Sequence, residues 1–470
     1  MRPILRYFVD RDNELKALIN YARSGKKVLV KGRRGVGKSV LVLKALELLE
    51  AQGMKSIYIN CLGVVNGRDL LRLLEVELGC RVSDRLNNKE AFDEFFQLIE
   101  SHNIGVVVLD EFTNLFQTLG RKKDFGNITN FAAVFRGHIM DSKASFIVTA
   151  SSLVDLRKIV RKARIFGRTF DYVLVLDPFE RKHALELVDE VARDINKEIP
   201  GHIKEDIIIW GDFVPYYIEA LTRAYLLYGN LARALEVEFS SGTLAEYFSS
   251  LYEDLNPIQR AIMMHLGMGR KKFEELVNLI SENGVPQALS ELLNMDLVAK
   301  VVISKKNVFY TTKDRTFSAW ILYNYNPSFT GKIKTILEIA SLSFEAFVRE
   351  TLGALNQRVR IIDSLGRELL LGPFLKVAIQ KTRMGQIDVF AVDTKGNTII
   401  GECYSGELLT KRKLMQIEKY RSEYPDAVMI FFMRGDIEQK AEQYAKQKEI
   451  YIIGLEELRE IRKNTNLHPF

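Results

Sequence analysis

The side chains of this chain that could do chemistry fall in a few short runs. Gly32-Arg33-Arg34-Gly35-Val36-Gly37-Lys38-Ser39 has the Walker A spacing G-x-x-x-x-G-K-[ST]. Glycines let backbone N–H groups close on phosphate oxygens, and the start of the following helix adds positive partial charge. Lys38 is placed to reach β- and γ-phosphates, and the Ser39 hydroxyl to ligate Mg²⁺. The expected nucleotide cradle runs from Gly32 to Val40, with Arg33 and Arg34 as extra cations of undecided role. Gly105-Val106-Val107-Val108-Leu109-Asp110-Glu111-Phe112 follows as an apolar strand ending in two acids. Asp110 is expected to hold Mg²⁺ through water, and Glu111 to act as general base on the attacking water. A glutamate after the metal-holding aspartate favours hydrolysis over binding alone.

Further runs add candidates. Phe146-Ile147-Val148-Thr149-Ala150-Ser151-Ser152 ends in hydroxyls. Thr149 or Ser151 could sense the γ-phosphate or position water, or Ser151 or Ser152 could cap a helix. Arg168, in Phe166-Gly167-Arg168, could contact phosphate charge or a neighbouring subunit, or be a surface arginine. Asn88-Lys89-Glu90-Ala91 and Asn196-Lys197-Glu198-Ile199 both lack the Asp of a guanine signature, so ATP is the expected nucleotide.

The elements that must position these residues alternate. β-rich apolar runs at Lys27–Lys31, Ser56–Asn60, Val106–Asp110, Phe146–Ala150 and Tyr172–Leu176 enclose helical-period segments such as Val40–Ala51, Leu70–Leu78 and Ala91–Glu100. Continuous apolar strands between helices predict a parallel sheet covered on both faces. Residues 180–250 are helical in pattern, with Pro200 and Pro215 as punctuation, which suits a lid. Three helical runs, Pro257–Leu266, Phe273–Ile280 and Val285–Leu293, precede strands Leu297–Ile303 and Val308–Thr312. Helices followed by a hairpin with a basic tip, Lys305-Lys306, suggest a winged helix-turn-helix. A linker is expected at Asn326–Lys334. Beyond it come a helix at Glu338–Leu355, strands at Lys376–Gln380, Gln386–Val392 and Thr398–Cys403, a helix at Lys411–Glu423, a strand at Ala427–Met433, a helix at Ile437–Lys446 and a strand at Ile450–Ile453. The expected fold class is therefore α/β. Its domains are a P-loop core over residues 1–178, a lid over 179–250, the winged helix over 251–326 and a small α/β domain over 335–470.

Composition narrows the class. The chain has 470 residues, 67 Lys+Arg against 60 Asp+Glu, and 47% hydrophobic residues, which excludes wholesale disorder. A net charge of +7 permits a nucleic-acid or acidic partner without demanding one. Cys61, Cys80 and Cys403 are scattered and odd in number, against a disulfide framework or a four-ligand zinc site. No apolar run approaches the ~18 residues of a membrane span. The N-terminal MRPILRYFVDRDNE is broken by charge before a signal-peptide core could form. A cytoplasmic protein without membrane contact is expected.

Taken together, the Walker motifs, Phe8-Val9-Asp10-Arg11 with Glu14, Phe166-Gly167-Arg168, Leu176-Asp177-Pro178-Phe179 and Gly211-Asp212-Phe213-Val214-Pro215-Tyr216 resemble archaeal ATPases of the STAND/AAA+-like P-loop group over residues 4–325. The resemblance implies that Asp10, Arg11 and Pro215 lie near the adenine. The C-terminal segment resembles PD-(D/E)XK nucleases in part. The resemblance offers Asp388 in Gln386-Ile387-Asp388-Val389-Phe390, Glu402 in Gly401-Glu402-Cys403-Tyr404, and Glu345 on the preceding helix as a possible second metal site. The family's lysine position is Tyr404 here, so Lys411 or Lys413 would have to substitute, and cleavage-competent and degenerate readings both stand. Gln416 and Tyr420 sit at helical spacing from Lys413, as in some junction resolvases.

Three readings follow. One is Mg²⁺-dependent ATP hydrolysis driving a conformational switch on nucleic acid, with DNA met through the winged helix and the C-terminal domain. Another is an ATP-set regulatory scaffold recruiting a protein partner. The third is an ATP-gated metal-dependent DNase. ATP and ADP are the expected ligands, and an oligomer with Arg168 acting in trans fits any of the three.

Overall fold

The computed structural model describes residues 7–81, 85–151, 169–281, 283–329, 332–339, 343–406 and 408–465. They form two compact units, Met1–Asp177 and Pro178–Phe470.

The first unit is built on five parallel strands: β1 (Val28–Lys31), β2 (Ser56–Asn60), β3 (Val106–Asp110), β4 (Ser145–Ala150) and β5 (Tyr172–Val175). Their order is β2-β3-β4-β1-β5, so β4 lies between the strand entering the glycine loop and the strand ending in Asp110. Successive side chains of a strand face opposite ways, and β3 shows it. Val107 and Leu109 join a phenylalanine-rich core with Phe92, Phe95, Phe112, Phe131 and Phe135. Val106 and Val108 join the opposite core with Leu18, Leu41, Val42 and Leu46, from helices α1 (Asp12–Arg23) and α2 (Lys38–Glu50). Both faces of β3 are thus covered, as its unbroken apolar run predicts. The edge strand β5 departs from that expectation: Tyr172, Val173 and Val175 are exposed. Asn88, in the first rejected guanine-like run, begins the Asn88–Ser101 helix, which Asn87 caps by accepting from the Glu90 N–H at 3.0 Å.

The second unit opens with helices Arg181–Arg193, Gly201–Trp210, Pro215–Tyr228, Leu231–Ser240 and Thr243–Glu253. Helices Pro257–Gly267, Phe273–Ile280 and Val285–Asn294 follow, with a three-stranded antiparallel sheet of β6 (Lys271–Lys272), β7 (Val298–Val302) and β8 (Val308–Thr312) in the order β6-β8-β7. At the start of the expected linker, Asn326 is buried and its side chain accepts from the Ser328 N–H at 3.0 Å. The single helix expected at Glu338–Leu355 is two helices, Ile333–Ile339 and Phe344–Gly353, the second capped by Ser343. A hairpin of β9 (Val359–Ile362) and β10 (Glu368–Leu371) comes next. The closing sheet has the order β11-β12-β13-β15-β17, from β11 (Phe374–Thr382), β12 (Gly385–Asp393), β13 (Thr398–Tyr404), β15 (Val428–Met433) and β17 (Ile450–Ile453). β11, β12 and β13 pair antiparallel, while β13, β15 and β17 pair parallel. The short strands β14 (Leu408–Leu409) and β16 (Asp436–Ile437) pair beside it, and helices Lys411–Glu418, Gln439–Gln447 and Leu455–Lys463 complete the unit.

A buried ion network joins distant parts of this unit. The Arg315 guanidinium, 1% exposed, donates to Asp212 Oδ1 at 2.8 and 2.5 Å and lies 3.5 Å from Glu350 Oε2. Arg462, on the last helix, reaches the same Glu350 oxygen at 3.1 Å. Both arginines lie over the Phe347 ring. Among such charges each is tolerated only because the others are there.

Candidate functional site

The carboxyl ends of β1, β3 and β4 bring the first set of residues together. The chain leaves β1 at Gly32, turns with positive φ at Gly35 and Gly37 (83° and 94°), and enters α2 at Lys38. Those two turns need glycine. A side chain at Gly32 would collide with the Leu176 carbonyl, so its requirement is space. Ser39 and Val40 lie in the first turn of α2, where helix N–H groups have no partner within the helix.

Lys38 is almost wholly buried, and its ammonium donates to the Gly32 and Arg33 carbonyls at 3.0 Å each. Burial pushes its pKa down to about 8, against the pull of Glu111 and Asp110. Its nitrogen lies 4.0 Å from Glu111 Oε1.

Across the gap, Asp110 is 3% exposed and both of its oxygens accept hydroxyls: Oδ2 from Tyr58 at 2.6 Å, Oδ1 from Thr149. The Thr149 oxygen in turn accepts the Glu111 N–H at 2.9 Å. Ser151 donates to Glu111 Oε1, and Glu111 itself has a positive φ of 51°. Such a φ is rare outside glycine and marks a turn held by its surroundings. Strand order explains the cluster, because only β4 neighbours both β1 and β3 and can carry Thr149 and Ser151 into the space between them. Tyr58 is missed by the sequence reading. Its one signal is a phenol between the two isoleucines of β2, which the parallel β2–β3 pairing places one pleat back from Asp110. Beside Asp110, burial and the carboxylate drive the Tyr58 phenol pKa up, so it remains a donor.

The remaining expected residues have surroundings of their own. Asp10 and Arg11 both have positive φ just before α1, and Arg11 donates to the Asp177 carbonyl and lies 3.3 Å from Glu14. Pro215 starts a helix of the second unit, where Gly211–Pro215 carries the Asp212 of the buried network. Arg168 lies outside the described residues.

The C-terminal acids are only partly assembled. Extending the β12–β13 register, in which Val389 pairs with Gly401, sets Asp388 opposite Glu402. Asp388 Oδ2 accepts the Cys403 N–H at 3.1 Å. Glu402 Oε1 is buried without a hydrogen-bond partner. Burial, then the Asp388 charge, raise the Glu402 pKa to about 7, and Tyr420 and Lys419 pull it back. The cation near Glu402 is thus Lys419; Lys413 instead lies over the Tyr404 ring and Lys411 over Tyr444. The helix that was expected to carry Gln416 and Tyr420 on one face ends at Glu418, and Tyr420 belongs to a following 3-10 turn. Among the described residues no group of three or more His, Cys, Asp or Glu side chains is placed to hold a metal ion. Burial, and after it the charges of Asp388, Glu345 and Glu402, nevertheless all push up the pKa of the Cys403 thiol.

A fully parallel sheet, a glycine loop closed over its own lysine and an acidic strand end held from the next strand agree with a comparison of the sequence. Residues 8–221 match the model of an ATPase domain predominantly from Archaea. In fold, this ATPase-like chain is similar to a Walker-type ATPase of Pyrococcus abyssi, with TM-score 0.53 and 19% identity over 68% of this chain and 98% of that one. The ORC2 protein of Aeropyrum pernix is similar at TM-score 0.49 and 16% identity, over 66% of this chain and 91% of that one. No curated protein matches the chain in sequence. Among the described residues no helix is long and apolar enough to cross a membrane.

Proposed function

We propose that this protein binds and hydrolyses ATP with Mg²⁺ at the carboxyl edge of the parallel sheet and uses the cycle as a conformational switch. The observation that carries the reading is the Lys38–Glu111–Thr149–Asp110 arrangement. A buried cation, a metal-type carboxylate and a base-type carboxylate meet there across three strand ends. Backbone N–H groups from Gly32 to Val40 would cradle the phosphates, and the Lys38 ammonium would exchange two loop carbonyls for phosphate oxygens. Ser39 and Asp110 offer the hard oxygen donors that suit Mg²⁺, which when bound would offset phosphate charge. Asp110 keeps lone pairs free beyond its two hydroxyl bonds. Glu111, steadied by Ser151, would take the proton from the attacking water. Asp10, Arg11 and Pro215 near the adenine, and Arg168 near phosphate charge, are carried from the family resemblance.

Two features support a switch that acts on nucleic acid. Asp212, in the lid-like run, pairs with Arg315, which meets Glu350 on the helix before the C-terminal sheet, so a change at that run reaches the C-terminal domain. The three helices with β6, β7 and β8 have the plan of a winged helix, with Lys271 and Lys272 on β6 and exposed Lys305 and Lys306 at the hairpin tip. Those lysines suit phosphate contacts rather than base reading, because the Val285–Asn294 helix presents Gln287 hydrogen-bonded to Glu291. A protein-recruiting scaffold remains the second reading, favoured by that non-basic helix. For the C-terminal domain we favour a nuclease-like, non-cleaving module, on Tyr404 in place of the family's lysine and on the Glu402 Oε1 left without a donor.

The test is ATP turnover by wild type and Glu111→Gln, each with and without duplex DNA. Turnover lost in the variant and raised by DNA supports the proposal. Turnover indifferent to DNA leaves the ATPase and favours the scaffold. No turnover in wild type despite ATP binding overturns hydrolysis. Cleavage of DNA by wild type with Mg²⁺ or Mn²⁺, lost in Asp388→Ala, would overturn the non-cleaving reading.

A further inference from the structure

The second unit contains a cleft of about 240 Å³ between the winged-helix-like segment and the helix Phe344–Gly353. Its walls include Leu266, Met268, Arg270, Thr311, Arg349 and Val377. The half-buried Arg270 is its unusual member. Its guanidinium donates to the Gly353 carbonyl and to the Leu375 carbonyl at 3.3 Å, and lies 4.4 Å over the Phe309 ring. Among the described residues no carboxylate lies within ion-pair distance of it. Carbonyls satisfy its N–H groups but leave the charge uncompensated, and a partly desolvated charge without a counterion is costly. Desolvation alone lowers its pKa, to about 10.

The rest of the lining does not supply the missing charge. Glu350 faces the cleft, but its carboxylate is engaged by Arg315 and Arg462. Arg349 adds a second guanidinium. The opposite character comes from aliphatic walls, with Thr311 contributing a hydroxyl. A dry cavity of roughly 150 Å³ holds a benzene ring, so this volume accommodates a ring together with one anionic group.

We propose that this cleft is an effector site for a small molecule that carries one anionic group, carboxylate or phosphate, on an apolar body. The anion meets Arg270, and the apolar body packs against Leu266, Met268 and Val377. The site lies outside the nucleotide cradle and stands independently of the ATPase reading. Occupancy would bear on the Asp388–Glu402 pair, because Arg349 also donates to the Asp388 carbonyl at 2.9 Å.

The test uses the full chain carrying Lys38→Ala, so that phosphate binding at the glycine loop is not read. Benzoate and phenyl phosphate are titrated, with benzyl alcohol as the neutral control, by thermal unfolding and by equilibrium binding. A saturable rise in Tm with either anion and none with the alcohol is expected. Arg270→Met should weaken binding at least tenfold, since a charge-assisted contact is removed. Should that variant not fold, Thr311→Val, expected to weaken binding severalfold, decides in its place. No saturable stabilisation by either anion, equal response to the alcohol, or unchanged affinity in the foldable variant overturns the proposal.

Discussion

Two acidic strand ends in this molecule are built in opposite ways. At the end of β3 every polar group has a partner: Asp110 receives Tyr58 and Thr149, Glu111 receives Ser151, and Lys38 lies within 4.0 Å of Glu111. On β12 and β13, Asp388 has a backbone partner but Glu402 keeps a buried oxygen without one, and its pKa rises to about 7. The first arrangement holds two carboxylates aimed by hydroxyl donors, which is the preorganisation that transition-state stabilisation requires. The second leaves a buried carboxyl oxygen without a donor beside another acid. Sequence position alone makes the two pairs look equivalent, and their surroundings make them different.

The sharpest test of that difference is Glu111→Gln, expected to lower ATP turnover by roughly 10²–10⁴-fold while ATP binding persists, as loss of a general base does. Turnover unchanged in this variant would remove the distinction on which the comparison rests. Next, Thr149→Val removes the hydroxyl shared by Asp110 and the Glu111 N–H. It should destabilise the protein by about 1–3 kcal/mol, read by denaturant unfolding, because a buried acceptor and donor lose their partner. Tyr58→Phe, which strands only one acceptor, should cost less.

The pH dependence gives smaller effects, both lost as pH rises but in different windows. In the free protein Lys38 has a pKa of about 8, and phosphates would hold it protonated. ATP affinity should therefore be level below pH 8 and fall above it, by at most about tenfold per pH unit, with one proton taken up per nucleotide. A flat titration would show that Lys38 does not meet the phosphates. For Glu402 the folded pKa, about 7, lies above the ordinary 4.5. The folded state thus binds more protons between those values, so its contribution is full below pH 4.5 and lost as pH rises through 7. Glu402→Gln should flatten that part of the Tm-against-pH curve and leave ATP turnover as in wild type.

Much of the first unit was legible. Its strands fell within a residue of expectation because a parallel sheet needs unbroken apolar runs, and Val106–Asp110 has nothing else to do. Walker residues were legible because their chemistry is local in sequence. Tyr58 was not, since only the strand order places its hydroxyl on Asp110. The second unit was harder to read. Strand β6 is two lysines, with no apolar run to mark it as a strand. Helix Leu455–Lys463 is so charged that its buried positions, Leu455, Leu458 and Ile461, pass unnoticed. The segment Asn326–Lys334 has a linker's composition, yet Asn326 is buried. A lysine substitute sought on the next helix failed because Lys411 and Lys413 turn toward aromatic rings and Lys419 stands nearest Glu402 electrostatically.

The Arg315 network also limits how the protein can be dissected. Asp212, Arg315, Glu350 and Arg462 come from four stretches spread over 251 positions, and they meet at one dry point. A truncation at the apparent linker would keep Asp212 and Arg315 and discard Glu350 and Arg462, exposing the wall against which Arg315 is sealed. Fragments cut there would be expected to express as aggregates, whatever their sequence suggests about modularity. Residues 178–470 should be shortened as a block or not at all.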